Sequence, residues 1–96
     1  MPSFQLKITP QAKKEIETVL SDPSKKGLHK QLKKALGFLK ANPKHPGLNS
    51  HPFGEVEGVK VWTSYVQNNT PSAHRVLWQY GTEKNTIIIL NVVPHY

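Results

Sequence analysis

Three places in the chain hold residue types that do chemistry. Arg75 is the only arginine among 13 lysine and arginine side chains, and it lies in the run Ala-His-Arg-Val-Leu-Trp-Gln-Tyr at residues 73–80. A guanidinium is a planar, permanently charged fork that grips a phosphate through two parallel hydrogen bonds, where a lysine offers a point charge. His95 and Tyr96 stand at the C-terminal end of the sequence. Histidine is the side chain whose ordinary pKa suits proton transfer near neutrality, and a carboxylate one residue away favours its charged form. Residues 43–58 contain His45, His51, Glu55 and Glu57. Two histidines without a cysteine or a fitting carboxylate cluster do not amount to a metal centre, and none is predicted. Each group also has a plain structural reading: an ion-pairing arginine on a strand, a frayed end, a polar connection.

For Arg75 to meet a ligand it must sit on a strand with one polar face. Alternation along 73–80 puts His74, Val76, Trp78 and Tyr80 on one side, read as core, and Arg75, Leu77 and Gln79 on the other. Residues 59–67 alternate too, with Val59, Val61, Thr63 and Tyr65 set against Lys60, Trp62, Ser64 and Val66. The stretch 68–72 reads as the turn between these strands. A further turn at 81–85 leads into residues 86–93, which are apolar on both faces and predict an interior strand. Phe4, Leu6 and Ile8 alternate with polar residues and predict a short strand, the second neighbour of that interior one.

Thr9 reads as an N-cap with Pro10 at the first helical position, where a missing donor costs nothing. Ala12, Ile16, Val19 and Leu20 then recur at helical spacing until residues 21–23 break the pattern. Asp22-Pro23 opens a second helix, whose stripe of Leu28, Leu32, Ala35, Leu36 and Leu39 runs to Asn42-Pro43. Residues 43–58 include Pro43, Pro46, Pro52, Gly47, Gly54 and Gly58 and read as an irregular connection. The predicted class is α+β in a single domain over residues 1–96. Its order is an N-terminal strand, an α-helical hairpin and a three-stranded antiparallel meander, with both helices on one face of a four-stranded sheet and the other face partly open.

Composition narrows the partners. A formal charge of +7 favours nucleic acid or an acidic protein over a neutral small molecule. The cations are concentrated between Lys7 and Lys44, and the second helix carries Lys25, Lys26, Lys30, Lys33, Lys34 and Lys40 away from its leucine stripe. The chain has no cysteine, which removes disulfides, thiolate metal sites and thiol nucleophiles. No apolar run is long enough to span a bilayer and no signal-peptide pattern stands at the N-terminus, so the expectation is a soluble, cytoplasmic protein with no membrane partner.

Taken together, the element order, the basic helical hairpin, Val-Trp at 61–62 after a Glu-Gly segment, His-Arg-Val-Leu-Trp-Gln-Tyr at 74–80 and the closing His95-Tyr96 resemble the RelE/ParE superfamily of bacterial toxins. The resemblance spans nearly the whole chain. Its last two features are most similar to the YoeB-like branch. It implies the toxin of a type II toxin-antitoxin system, partnered by a cognate antitoxin. It also implies cleavage of messenger RNA on the ribosome with no metal and no cofactor. Arg75 would then steady the scissile phosphate, His95 would act as general acid for the leaving 5′ oxygen, and Tyr96 would orient or stack on a base. The general base stays open among Glu55, Glu57 and His51, and Lys60, Lys30, Lys33 and Lys34 are the candidate RNA-binding cations. In place of the arginines that YoeB-like proteins carry after the tryptophan, this chain has Thr63-Ser64-Tyr65-Val66. Two rival readings keep other classes in view: a protein of the same fold that inhibits gyrase or only binds an antitoxin, and a basic module that binds nucleic acid without toxicity.

Overall fold

The computed structural model describes residues 3–66 and 74–94. The expected turn at 68–72, the adjoining ends of the strands read at 59–67 and 73–80, and His95-Tyr96 lie outside the described residues. The elements run β1 (Gln5–Ile8), α1 (Pro10–Leu20), α2 (Lys26–Ala41), β2 (His51–Val56), β3 (Val59–Tyr65), β4 (His74–Tyr80) and β5 (Thr86–Pro94). The strands form one sheet in the order β1-β5-β4-β3-β2. The class is the expected α+β, with one more strand than expected. As predicted, β5 is interior; it runs parallel to β1 and antiparallel to β4.

The added strand is β2, from the stretch read as irregular. It pairs antiparallel with β3 through a register shift between Pro52 and Gly54. Pro52 cannot donate to a ladder and Gly54 has low strand propensity, so the local sequence argues against a strand. An edge position and a bulge accommodate both. Glu57 and Gly58 close the hairpin with φ of 51° and 80°. Positive φ at both central residues is the two-residue turn whose twist suits antiparallel strands.

Thr9 begins α1 as read, its hydroxyl accepting from the Ala12 amide at 3.1 Å. The second helix starts later than expected. Pro23–Lys25 form a 3-10 turn, and α2 begins at Lys26. Asp22 causes the delay, because its carboxylate accepts from the Ser24 hydroxyl at 2.6 Å and from the Ser24 amide at 3.0 Å, closing a tight turn. Those two bonds hold the Asp22 carboxyl below its ordinary pKa. His29 Nε2 then donates to the carbonyls of Val19 at 2.7 Å and Asp22 at 3.0 Å, joining α2 to the end of α1.

Leu28, Leu32, Ala35 and Leu39 bury the α2 stripe in one cluster with Val76, Trp78, Ile87, Ile89 and Val92 of the sheet, and Ile16 and Leu36 pack against it. Within that core, the indole N–H of Trp78 donates to Ser64 Oγ at 2.7 Å. Ser50 spends its hydroxyl hydrogen on the Pro43 carbonyl at 3.0 Å, so Ser64 must donate to Ser50 across 2.6 Å. This chain of bonds fastens the 43–50 connection to the sheet.

Leu90 is the extra residue of a bulge in β5, since Leu77 pairs with Asn91 while Trp78 pairs with Ile89. Helix α1 and its cap satisfy the groups that the bulge frees. Thr9 Oγ1 donates to the Leu90 carbonyl at 3.0 Å, and Glu15 Oε1 accepts from the Val92 amide at 2.9 Å and the Asn91 amide group at 3.3 Å. The last residues of β5 are thereby held in a definite register beside the strand of Arg75.

Candidate functional site

Arg75 lies on the sheet face away from the helices. Its neighbours along β4, His74 and Val76, are buried on the helix side, and strand alternation turns Arg75 the other way. Tyr65 is its cross-strand partner on β3 and Val93 its partner on β5. The guanidinium stands 4.4 Å over the Tyr65 ring, and Nη2 donates to Tyr65 Oη at 3.2 Å. Tyrosine thus positions the fork through a cation–π contact and one charge-assisted hydrogen bond to a neutral acceptor, and no carboxylate forms an ion pair with it among the described residues.

The same face holds polar groups that the described residues leave unsatisfied. Thr63 Oγ1, Arg75 Nε and Gln79 Oε1 are buried without a hydrogen-bond partner. Thr63 pairs with Leu77, which lies between Arg75 and Gln79 on β4, so the three sit within one small patch. A buried polar atom without a partner costs about 1–3 kcal/mol. Three together, one of them on the guanidinium itself, mark a place arranged for something other than stability. Val61, Thr63 and Leu77 on this face are themselves buried, so it is less open than expected.

His51 joins the site from β2. It pairs with Thr63, and its ring lies 5.8 Å from that of Tyr65. Its Nδ1 is 2.9 Å from the Asn49 carbonyl. A carbonyl only accepts, so Nδ1 carries the hydrogen and Nε2 presents its lone pair. Glu55 goes elsewhere. It pairs with Lys60, whose ammonium stands 5.4 Å over the Trp62 ring, and Trp62 stacks on Trp78 on the helix side. Glu55 and Lys60 are therefore across the sheet from Arg75, and Glu57 is in the hairpin turn. Lys30, Lys33 and Lys34 are exposed on α2, in the layer behind the sheet.

Of the residues singled out from sequence, the fold brings Arg75 and His51 together and separates Glu55, Lys60 and the α2 lysines from them. His95 and Tyr96 lie outside the described residues; β5 reaches Pro94, which pairs with His74. Tyr65, Thr63 and Gln79 were not singled out as site residues. A signal for Tyr65 was available, because Tyr65 and Arg75 are equidistant from the centre of the turn read at 68–72, which is the pairing a symmetric hairpin predicts. Nothing in the sequence distinguishes Thr63 and Gln79 from ordinary strand residues.

No family model matches the chain, and no curated protein matches it in sequence. Solved structures do. A YoeB/ParE toxin from Agrobacterium tumefaciens superposes with a TM-score of 0.74 at 13% identity, over 97% of this chain and 100% of that one. The fold is that of the RelE/ParE-like toxins. YoeB from Staphylococcus aureus, solved as a dimer, has a TM-score of 0.69 at 15% identity, over 97% of this chain and 98% of its own. The archaeal RelE-RelB complex from Pyrococcus horikoshii has a TM-score of 0.68 at 16% identity, over 98% and 96%. The RelE/ParE-like fold is thus shared over nearly the full chain while most side chains differ. Among the described residues no helix is long and apolar enough to cross a membrane, and no three histidine or carboxylate side chains gather as metal ligands.

Proposed function

We propose that this chain is the toxin of a toxin-antitoxin pair and that it cleaves messenger RNA at the ribosome. The observation that carries the reading is Arg75, a guanidinium on the face away from the helices, held by a tyrosine instead of a carboxylate and bordered by unsatisfied polar groups. Its remaining N–H groups suit a phosphate. The solved proteins sharing the fold include toxins, one in complex with RelB, which supports an antitoxin partner here as well.

RNA brings its own nucleophile, a 2′-hydroxyl beside the phosphate, so the protein has to supply a base, an acid and stabilisation of charge. In this reading His51 Nε2 takes the 2′-hydroxyl proton as O2′ bonds to phosphorus. The bond from phosphorus to O5′ then breaks, and His95, one residue beyond Pro94 in the chain, gives its proton to O5′. The products are a 2′,3′-cyclic phosphate and a free 5′-hydroxyl. Arg75 neutralises the charge that builds on the phosphate oxygens, and Tyr96 stacks on a base.

Induced expression in a bacterial host, followed by mapping of messenger RNA ends, tests the proposal. Growth arrest with cuts in phase with ribosomes is the expected result, and His95→Gln is expected to lower cleavage by roughly 10² to 10⁴-fold. Arrest without cuts would replace the nuclease with gyrase inhibition. Normal growth from a folded protein would leave a chain that only binds.

A further inference from the structure

Between the 43–50 connection and the helix side of the sheet lies an open cavity of about 380 Å³, across the sheet from Arg75. Trp62, Trp78 and Tyr80 line it from the sheet, and Pro43, Lys44 and Pro46 from the connection. Trp78 is 1% exposed and forms the floor, whereas Trp62 is half-buried and Tyr80 is 38% exposed, so two aromatic side chains present surface to solvent. The rings brace one another: Trp62 stacks on Trp78 at 5.8 Å, and Tyr80 meets Trp78 edge-on at 5.1 Å. Three polar groups along the cavity are already taken up within the protein. Trp78 donates its indole N–H to Ser64, the Ser50 hydroxyl bonds the Pro43 carbonyl, and His45 Nδ1 accepts from the Gly47 amide at 3.0 Å. A buried nucleobase needs partners for its polar edge, and an apolar side chain needs none. Cations stand at the rim. Lys44 is exposed, and the Lys60 ammonium lies 5.4 Å over the Trp62 ring. Glu55 pairs with Lys60 in the strand register, yet neither lysine forms an ion pair among the described residues.

We infer that this cavity anchors an acidic polypeptide segment, with one large apolar side chain seated against Trp62, Tyr80 and Pro46 and flanking carboxylates on Lys44 and Lys60. The inference rests on the reading of the chain as a toxin with an antitoxin partner, and it gives that partner a place: the helix side of the sheet, facing away from Arg75. A preformed apolar pocket that takes one anchor, ringed by charge that selects the partner, is how a few residues come to carry most of a binding energy. Charge also decides against a second copy of this chain, which would bring a net +7 toward a net +7.

Both tryptophans of the chain line the cavity, so the intrinsic tryptophan fluorescence of the full chain reports its occupation. The probe is a tryptophan-free peptide of glutamate and alanine with one central leucine. It is expected to shift the emission to shorter wavelength in a saturable way, and the same peptide with alanine in place of leucine is expected to bind roughly tenfold or more weakly. Lys44→Glu is expected to weaken the leucine peptide roughly fivefold more than Lys13→Glu, the same change of charge on exposed α1, and to make its affinity less sensitive to salt. Tyr80→Ala, checked for an unchanged melting temperature, is expected to weaken the leucine peptide roughly fivefold and the alanine peptide hardly at all. Equal affinities of the two peptides would overturn the anchor, as would equal effects of Lys44→Glu and Lys13→Glu. So would an emission shift produced by oligouridylate and not by the leucine peptide, which would make the cavity a nucleic-acid site, or one produced by raising the protein concentration alone, which would make it an interface between copies. Normal growth on induced expression of a folded chain refutes the toxin reading instead. A toxic chain that does not bind the leucine peptide refutes only the anchor.

Discussion

Replacing Arg75 by lysine keeps the charge and removes the fork, which makes it the sharpest test of the site. In the free protein the guanidinium spends one N–H on Tyr65 and lies against its ring. Lysine loses that hydrogen bond and part of the cation–π contact, together worth about 1.5–3 kcal/mol of folding stability. The loss toward substrate is a separate one. A charge-assisted hydrogen bond contributes about 1.5–3 kcal/mol, and lysine cannot offer the second, parallel one. At about 1.4 kcal/mol per factor of ten, Arg75→Lys should slow cleavage by roughly 10 to 10²-fold. The assay is single-turnover cleavage of a defined message on purified ribosomes, at protein concentrations that saturate the wild type. Tyr65→Phe is the companion variant. It keeps the ring and frees the guanidinium from the hydroxyl, so it should change the rate by less than Arg75→Lys does. Wild-type cleavage by Arg75→Lys, or a greater loss in Tyr65→Phe, would refute the claim that the fork grips the phosphate.

Leu32 is 1% exposed at the centre of the α2 stripe, so Leu32→Ala should cost about 2–5 kcal/mol. For a domain of this size that lowers the melting temperature by at least about 8 °C, measured by circular dichroism. His51→Ala should reduce cleavage by roughly 10² or more while Glu55→Gln leaves it within a few-fold, because only His51 shares the face of Arg75; the reverse order in the same ribosome assay would reassign the base. Burial, with a smaller contribution from Lys25, holds the pKa of His74 below its ordinary value. The unfolded chain then binds the extra proton first, so this contribution to stability is present above about pH 6.5 and is lost as the pH falls toward the depressed folded value. Melting temperatures across that range should drop on the acid side, and His74→Gln should flatten the drop.

Much of the frame was legible because it depends on local periodicity. The leucine stripe of α2, the Thr9-Pro10 cap and the two-sided apolar run of β5 each state their environment in their own residues, and alternation along β4 assigned Arg75 to the face away from the core. Strand β2 was not legible. His51–Val56 contains Pro52 and Gly54, and it is a strand only because β3 offers an edge and a bulge absorbs the misfit. The delayed start of α2 depends on one side chain, Asp22, choosing the Ser24 amide and hydroxyl.

What only the tertiary structure decided is which chemical groups meet. In sequence His51 and Glu55 were equivalent candidates four residues apart, and a register shift between them put one beside Tyr65 and the other beside Lys60. Side chains on a strand alternate with period two, so a single extra residue exchanges the faces of everything beyond it. Helical spacing needs no partner to be read, whereas the face of a bulged strand exists only in relation to its neighbour. The two helices, strands β1, β3, β4 and β5 and the core were therefore written in the chain itself, and the placing of His51 on the face of Arg75 was settled by the sheet.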